Sequence, residues 1–169
     1  MRVYLSTVFG CPYEGKVETK SALAVVEKIA RFKPDEIALS DTIGVATPRQ
    51  VKEVVAGSAA LFPIQATALH LHNTYGLATA AALEGLKAGI TRFDGSSGGI
   101  GGCPYAKGAT GNVATEDLAY AFFREGALTS LNWAAVKETL EEAERLKLAV
   151  AGRLQSIWSK GGKVYGVVE

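Results

Sequence analysis

Hydrophobic and polar residues follow two repeating patterns along this chain: a short strand-like apolar run, then a longer stretch with helical spacing. The apolar runs begin near positions 3, 36, 65 and 91, so each strand–helix unit takes about 30 residues. Strands that alternate with helices indicate a parallel sheet with right-handed crossovers. The pattern therefore predicts an α/β fold with four βα units.

The helical stretches each carry an apolar face, and several have recognisable ends. Thr47 is predicted to be the N-cap of a helix whose first turn contains Pro48. A second helix is predicted over 76–89, with Gly89 as its C-cap glycine. Thr115 is expected to cap a fourth helix, and a last helix is predicted over 132–150. The residues predicted to face inward from the helix after Pro48 are Val51, Val54, Val55 and Ala59.

Polar side chains follow the C-terminal end of every predicted strand. They are Cys11, the Asp41-Thr42 pair, the two histidines His70 and His72, and Asp94. An open doubly wound sheet and a (β/α)8 TIM barrel both fit the alternation, but polar residues after every strand favour the barrel. A whole barrel needs about 200 to 250 residues. The chain has 169 residues, so we expect a half barrel of about four βα units plus C-terminal helices.

Composition narrows the functional classes. Apolar residues make up 48% and charged residues 21%, which is typical of a globular domain, and the net charge of +1 gives no case for nucleic-acid binding. Two cysteines are too few for a disulfide framework. The sequence lacks an apolar run of the roughly 18 residues that a membrane span needs, and residues 1–11 lack a signal-peptide pattern. We therefore expect a cytoplasmic protein without a membrane partner.

His70 and His72 are the strongest chemical signal. Residues two apart on a strand point the same way, so both imidazoles can face one point. A pair of ordinary polar residues at a strand end is the alternative, but two histidines after a buried apolar run favour metal binding. Two imidazoles are too few for a closed structural site, so the spacing predicts an open, catalytic metal centre.

Other candidate residues are individually weaker. The glycine-rich loop 98–108 holds Cys103, whose thiol would have a lowered pKa beside Lys107 or a metal and could shuttle protons; a flexible connection is the alternative. Asn112 is either a turn residue or an oxygen ligand. Asp41 is a base, an orienting carboxylate or a turn cap. Glu116 and Asp117 lie in a first helical turn, where acidic residues complement the helix dipole.

Taken together, these motifs resemble 3-hydroxy-3-methylglutaryl-CoA lyase, from a metal-dependent TIM-barrel superfamily that also includes Claisen-type synthases and aldolases. The resemblance runs from about residue 3 to residue 126 and is carried by four blocks: 10–15 (GCPYEG), 39–48 (LSDTIGVATP), 70–76 (HLHNTYG) and 101–117 (GGCPYAKGATGNVATED). It implies that 1–126 form the C-terminal half of a TIM-barrel catalytic domain, and that 127–169 form a helical extension and tail.

The resemblance also implies a reaction and roles for residues. The family cleaves hydroxymethylglutaryl-CoA to acetyl-CoA and acetoacetate with Mg²⁺ or Mn²⁺, a retro-Claisen step of leucine degradation and ketone-body formation. His70, His72 and Asn112 would be metal ligands, Cys103 the proton donor, and Asp41 an acid/base or orienting group. His70 would assist proton transfer, and the substrate partner would be an acyl-CoA.

One departure from the family pattern limits what the resemblance implies. The family's first barrel strand carries an Arg-Asp pair, which supplies a catalytic arginine and a metal carboxylate, and this sequence contains no such pair. We therefore expect little activity from this chain alone, and either homo-oligomerisation or pairing with a separate N-terminal half. A related aldolase or condensing enzyme, and a non-catalytic half barrel that assembles into a dimer, are the alternatives.

Overall fold

The computed structural model describes residues 1–102, 111–128 and 130–167, and these contain four strands and six α-helices. Strands and helices alternate as the sequence pattern predicts, up to the last two helices. The elements are β1 (Arg2–Leu5), α1 (Thr19–Ala30), β2 (Glu36–Asp41), α2 (Pro48–Ala59), β3 (Thr67–Leu71), α3 (Ala78–Lys87), β4 (Arg92–Asp94), α4 (Thr115–Arg124), α5 (Trp133–Arg145) and α6 (Arg153–Trp158).

The four strands form one parallel sheet in the order β1-β2-β3-β4. The predicted α/β class and the four βα units are confirmed. The sheet is strongly curled: Arg2 of β1 reaches across its concave side to Asp94 of β4, with 2.6 Å between Nη2 and Oδ1. Two strands at opposite edges of a flat four-stranded sheet would lie about 14 Å apart, since neighbouring strands are about 4.8 Å apart.

The two faces of the sheet differ in chemistry. The outer face packs against the helices and forms the main hydrophobic core, in which Ile37, Leu39 and Leu69 are fully buried. The inner, concave face is mostly polar, and no helix of the described ranges packs on it. Its residues, assigned from the strand register, are Arg2, Tyr4, Glu36, Ala38, Ser40, Ala68, His70, Arg92 and Asp94.

Most predicted helix ends are confirmed, and the exceptions have local causes. Thr47 and Gln50 form a capping box at the start of α2. Ser58 is buried in α2 whereas Ala59 is exposed, so the predicted inward position was wrong by one residue. Ala114, not Thr115, occupies the N-cap of α4, because the chain stays extended through Ala114 and Thr115 is already helical.

The C-terminal region differs most from the sequence prediction. The predicted helix over 132–150 ends at Arg145, and Lys147 has a positive φ of 58°. A further helix, α6, follows within the stretch 151–169, whose structure the sequence pattern did not predict. Helices α4, α5 and α6 enclose a second apolar cluster that includes Trp133, Leu140 and Trp158. In the described part of the chain, no helix is long and apolar enough to cross a membrane.

Candidate metal centre

The C-terminal ends of β3 and β4 are separated by the segment 111–115, which leads into the first residue of α4. On one side, Asn73 donates its N–H to Gly111 O, and Val113 donates its N–H to Leu71 O. On the other side, Ser96 N–H bonds Val113 O at 3.1 Å, and Thr115 N–H bonds Ser96 O at 2.9 Å. The segment therefore sits between the two strand ends, held by main-chain atoms on both sides.

This backbone arrangement brings His72 opposite Asn112. The two residues form an antiparallel bridge, and its flanking hydrogen bonds are those of a non-hydrogen-bonded pair. Side chains opposite each other in such a pair lie on the same face, with Cβ atoms about 4.5 to 5.5 Å apart. His70 shares that face with His72, and the two imidazole centroids are 5.4 Å apart. The structure thus groups His70, His72 and Asn112.

The protonation and orientation of these groups suit ligation of a cation. Burial, and then the nearby His70, lower the pKa of His72, so its ring is neutral near pH 7. Its Nδ1 is buried without a hydrogen-bond partner among the described residues. Asn112 donates Nδ2–H to Ile100 O at 3.2 Å, which identifies the amide oxygen as the end left to bind a ligand. Neutral imidazole and amide oxygen are both metal ligands in proteins.

His70 has a carboxylate neighbour that the sequence analysis did not assign a role. Its Nδ1 lies 3.3 Å from Asp94 Oδ2, an ion-pair distance without hydrogen-bond alignment. Both Asp94 oxygens in turn accept from Arg2. The period-two spacing in the sequence puts Arg2 and Tyr4 on one face of β1, but it does not connect either residue with Asp94, which the sequence marks only as a polar residue at a strand end.

Asp41 lies apart from this group. Its Oδ1 accepts the N–H groups of Gly44 and Val45, each at 3.0 Å, and its Oδ2 accepts that of Ala46 at 2.8 Å. Strand alternation puts it on the helix-covered face, since its neighbour Ser40 pairs in register with His70. Burial raises the pKa of Asp41, and the backbone hydrogen bonds partly offset this. These contacts favour the turn-cap alternative over direct proton transfer.

Cys103 and Lys107 lie outside the described residues, whereas both ends of their loop are described. Gly111 has a φ of 105°, and a Cβ there would lie 2.2 Å from Gly101 O and 2.5 Å from Gly99 O. Any side chain at position 111 would therefore clash with the backbone of residues 99–101, so this end of the loop requires glycine. Within the described ranges, no group of three or more His, Cys, Asp or Glu side chains is arranged to hold a metal ion. The donor set that the structure groups is two imidazoles and one amide.

Comparison with known proteins places the chain in a family. A model of the HMGL-like family matches residues 2–142. The chain belongs to the HMGL-like family. Among curated HMGL-like relatives, hydroxymethylglutaryl-CoA lyase YngG of Bacillus subtilis is 51% identical over 119 residues, which are 70% of this chain and 40% of the relative. The mitochondrial hydroxymethylglutaryl-CoA lyase of Bos taurus is 45% identical over 78% of this chain and 41% of its own length.

A solved structure extends the comparison to three dimensions. The HMG-CoA lyase from Acinetobacter baumannii, in complex with coenzyme A and 3-methylmalate, superposes with a TM-score of 0.85 at 33% identity. The superposition covers 99% of this chain and 54% of that one. The predicted half barrel is confirmed, and this HMGL-like chain spans about half the length of the relatives that it matches.

Proposed function

We propose that this chain carries the metal-binding half of a carbon–carbon lyase site that cleaves hydroxymethylglutaryl-CoA to acetyl-CoA and acetoacetate. The observation that carries the proposal is the grouping of His70, His72 and Asn112 on one face at the C-terminal end of the sheet. That end of a parallel barrel is where the chemistry of this fold takes place. The lyase names of the relatives support the reaction, and the coenzyme A complex supports an acyl-CoA substrate.

His70, His72 and Asn112 would hold a divalent cation, Mg²⁺ or Mn²⁺. The lowered pKa of His72 and its unpartnered Nδ1 fit this role, because a ligating imidazole must be neutral. When bound, the cation would supply Lewis-acid polarisation of substrate oxygens. Two imidazoles and an amide leave positions for substrate and for a carboxylate, which in the resembling family comes from a strand not present in this sequence.

The remaining chemistry is assigned to side chains of this chain as a proposal. Cleavage requires removal of the proton from the tertiary hydroxyl and return of a proton to the thioester enolate. His70, half-buried on the inner face, is proposed to assist the first transfer, and Cys103 is proposed to supply the second. A direct acid/base role of Asp41 stays a prediction. Its contacts support the turn-cap alternative, since its carboxylate accepts the N–H groups of Gly44 and Ala46.

The division of the chain and its location are also proposals. We propose that 1–126 form the barrel half and 127–169 an extension, which is supported by the separate apolar cluster around Trp133 and Trp158. Cytoplasmic location is proposed from composition alone, and relatives named as mitochondrial exist.

Metal titration tests the proposal most directly. We expect the chain to bind Mn²⁺ weakly, and His72→Ala and Asn112→Ala each to reduce the affinity by about tenfold or more, as the loss of one ligand removes a direct bond. Electron paramagnetic resonance of free Mn²⁺ measures this binding. Asn132→Ala is the matched control, because Asn132 caps α5 away from the site. Mn²⁺ binding that is unchanged in both ligand variants would contradict the assignment.

A further inference from the structure

Three side chains from three strands form a connected line on the inner face. Arg2 of β1 donates from Nη2 to both oxygens of Asp94 in β4, at 2.6 and 2.8 Å. Asp94 Oδ2 lies 3.3 Å from Nδ1 of His70 in β3. The Arg2 guanidinium also stacks over the Tyr4 ring at 4.7 Å, and Tyr4 meets His70 edge-on at 5.8 Å. The imidazole is therefore bounded by a carboxylate on one side and an aromatic ring on another.

The surrounding charges hold the Asp94 carboxylate in place. The inner face carries two arginines and two carboxylates: Arg2 contacts both Asp94 and Glu36, with 2.7 Å between Arg2 Nε and Glu36 Oε1, and Arg92 contacts Glu36. The guanidinium divides its donors between the two carboxylates: Nη2 holds both oxygens of Asp94 and Nε holds Glu36, so the charge-assisted contacts fix Arg2 between them. Asp94 is thus held by Arg2, while its Oδ2 also faces His70.

We propose that Asp94 is a positioning residue for His70: its carboxylate accepts the Nδ1 proton and leaves the lone pair on Nε2. The inference rests on the proposed function, in which His70 is a metal ligand. Ligating histidines commonly donate their second N–H to a carboxylate, which fixes the tautomer and makes the ligating nitrogen more basic. Arg2 acts one step further away, by holding Asp94.

The two histidines are then not equivalent. Among the described residues, Nδ1 of both rings is buried without an aligned hydrogen bond. Only His70 Nδ1 has a carboxylate close by, with 3.3 Å to Asp94 Oδ2, so a small rotation of either side chain would complete that hydrogen bond. A neutral imidazole in water favours the tautomer with its proton on Nε2, which is the wrong one for ligation through that atom. Asp94 reverses this preference for His70 before any cation binds, so its effect is measurable in the metal-free chain.

Long-range ¹H–¹⁵N NMR of the metal-free chain at pH 8 tests the proposal. The chain has two histidines, so one substitution, His72→Gln, assigns both rings. We expect the Nδ1–H tautomer for His70 in the unaltered chain and a shift toward Nε2–H in Asp94→Ala. Asp94→Asn keeps an acceptor oxygen and is expected to retain much of the Nδ1–H form. Arg92→Gln is the matched control, because Arg92 lies on the same face and, among the described residues, forms its ion pair with Glu36, whereas those of Asp94 are with Arg2 and His70.

A second readout separates this inference from the proposed function. Mn²⁺ affinity is expected to fall about 10- to 100-fold in Asp94→Ala, less in Asp94→Asn, and not at all in Arg92→Gln. If Asp94→Ala does not fold, Arg2→Gln replaces it, since it releases Asp94 without removing it. An unchanged His70 tautomer in the folded variants overturns the inference. A tautomer that switches in a chain that binds no Mn²⁺ upholds the positioning role and refutes the metal site instead.

Discussion

Glu116 is a buried ionisable side chain that forms no ion pair with any described residue. It is 1% exposed, its Oε2 accepts the Gly98 N–H at 3.0 Å, and its Oε1 has no hydrogen-bond partner among the described residues. A Cβ at Gly152 would lie 1.9 Å from that oxygen, so the helix α6 approaches the carboxyl closely. Burial raises the pKa of Glu116, the neighbouring Asp117 adds to this, and backbone hydrogen bonds partly offset it.

The raised pKa predicts a pH-dependent stability. As pH rises from the ordinary value of 4.5 toward the raised pKa, the unfolded chain has lost its proton while the folded chain keeps it, so rising pH favours unfolding. Glu116→Gln removes the titrating carboxyl and with it this loss of stability at higher pH. We expect the variant to be more stable than the parent near pH 8, with the difference shrinking toward pH 4.

Urea denaturation between pH 4 and pH 8 measures this difference. Glu138→Gln is the matched control, because Glu138 is exposed on α5 and its substitution should shift stability equally little at both ends of the range. A Glu116→Gln variant whose stability runs parallel to that of the parent across the whole range would show that the buried carboxyl does not titrate as described.

The sequence predicts the role of a residue best when the partners of that residue lie nearby in the chain. The His70 and His72 pairing followed from strand periodicity alone, and the Thr47 cap followed from its own neighbours. Asp94 was seen at a strand end but received no role, because its partners Arg2 and His70 are distant in sequence and meet only when the sheet curls. The Asp41 contacts also needed the structure, since a carboxylate after a strand fits either a turn or a site.

At the scale of elements, helix α6 begins on a side chain from another helix. Its N-cap, Gly152, has no side chain to offer. Asp117 of α4 instead accepts the Arg153 N–H at 2.9 and 2.8 Å and the Leu154 N–H at 3.0 Å. These are donors that a helix leaves unpaired in its first turn, and an acidic side chain there also complements the helix dipole.

We therefore expect Asp117→Ala to loosen α6 selectively. The loss of a capping carboxylate costs about 0.5 to 2 kcal/mol, and it should appear as faster amide exchange in 153–158 with little change in β2 and β3. Hydrogen–deuterium exchange with mass spectrometry resolves the two regions. Glu125→Ala, an exposed position just after α4, serves as the control. Equal acceleration in both regions would indicate that α4 as a whole, not the α6 start, depends on Asp117.

The strand–helix repeat was predictable from sequence, whereas the C-terminal helices were not. Each βα unit is recognisable in the sequence because the spacing of apolar residues changes from strand-like to helical. Helix α6 has six residues, too few to display a period, and its start is stabilised by Asp117, which lies 36 residues earlier. A helix this short is stabilised mainly by tertiary contacts, so its local sequence pattern does not predict it.

At the scale of the molecule, the described residues place no helix against the inner face and no further strand beside β1 or β4. β1 and β4 are the outer strands of the sheet. Parallel sheets are normally covered on both faces, and exposed edges tend to pair with another chain. The chain covers 54% of the structural relative, whose remaining part would supply the missing cover. We expect this face to pack against a second half barrel.

Mixing experiments test this expectation. The N-terminal part of the Bacillus subtilis relative, added to this chain, should give a one-to-one complex by sedimentation, and hydroxymethylglutaryl-CoA cleavage should require the mixture. A two-copy assembly of this chain alone is the other way to cover the face. The expected packing against a second half barrel would be refuted by a stable monomer that forms no complex with the added half. Full cleavage by this chain alone would refute it too.

The main-chain attachment of segment 111–115 has a consequence for protein engineering. The hydrogen bonds that hold the segment between the strand ends come from backbone atoms of Asn73, Val113, Ser96 and Thr115, so none of them depends on which side chain occupies position 112. In the proposed metal site, the side chain at position 112 could therefore be exchanged while the backbone keeps its place. Aspartate at this position would favour Mg²⁺, because a carboxylate is a hard oxygen ligand. Histidine or cysteine would favour Zn²⁺ or Co²⁺. A single substitution would then change the metal preference of the proposed site.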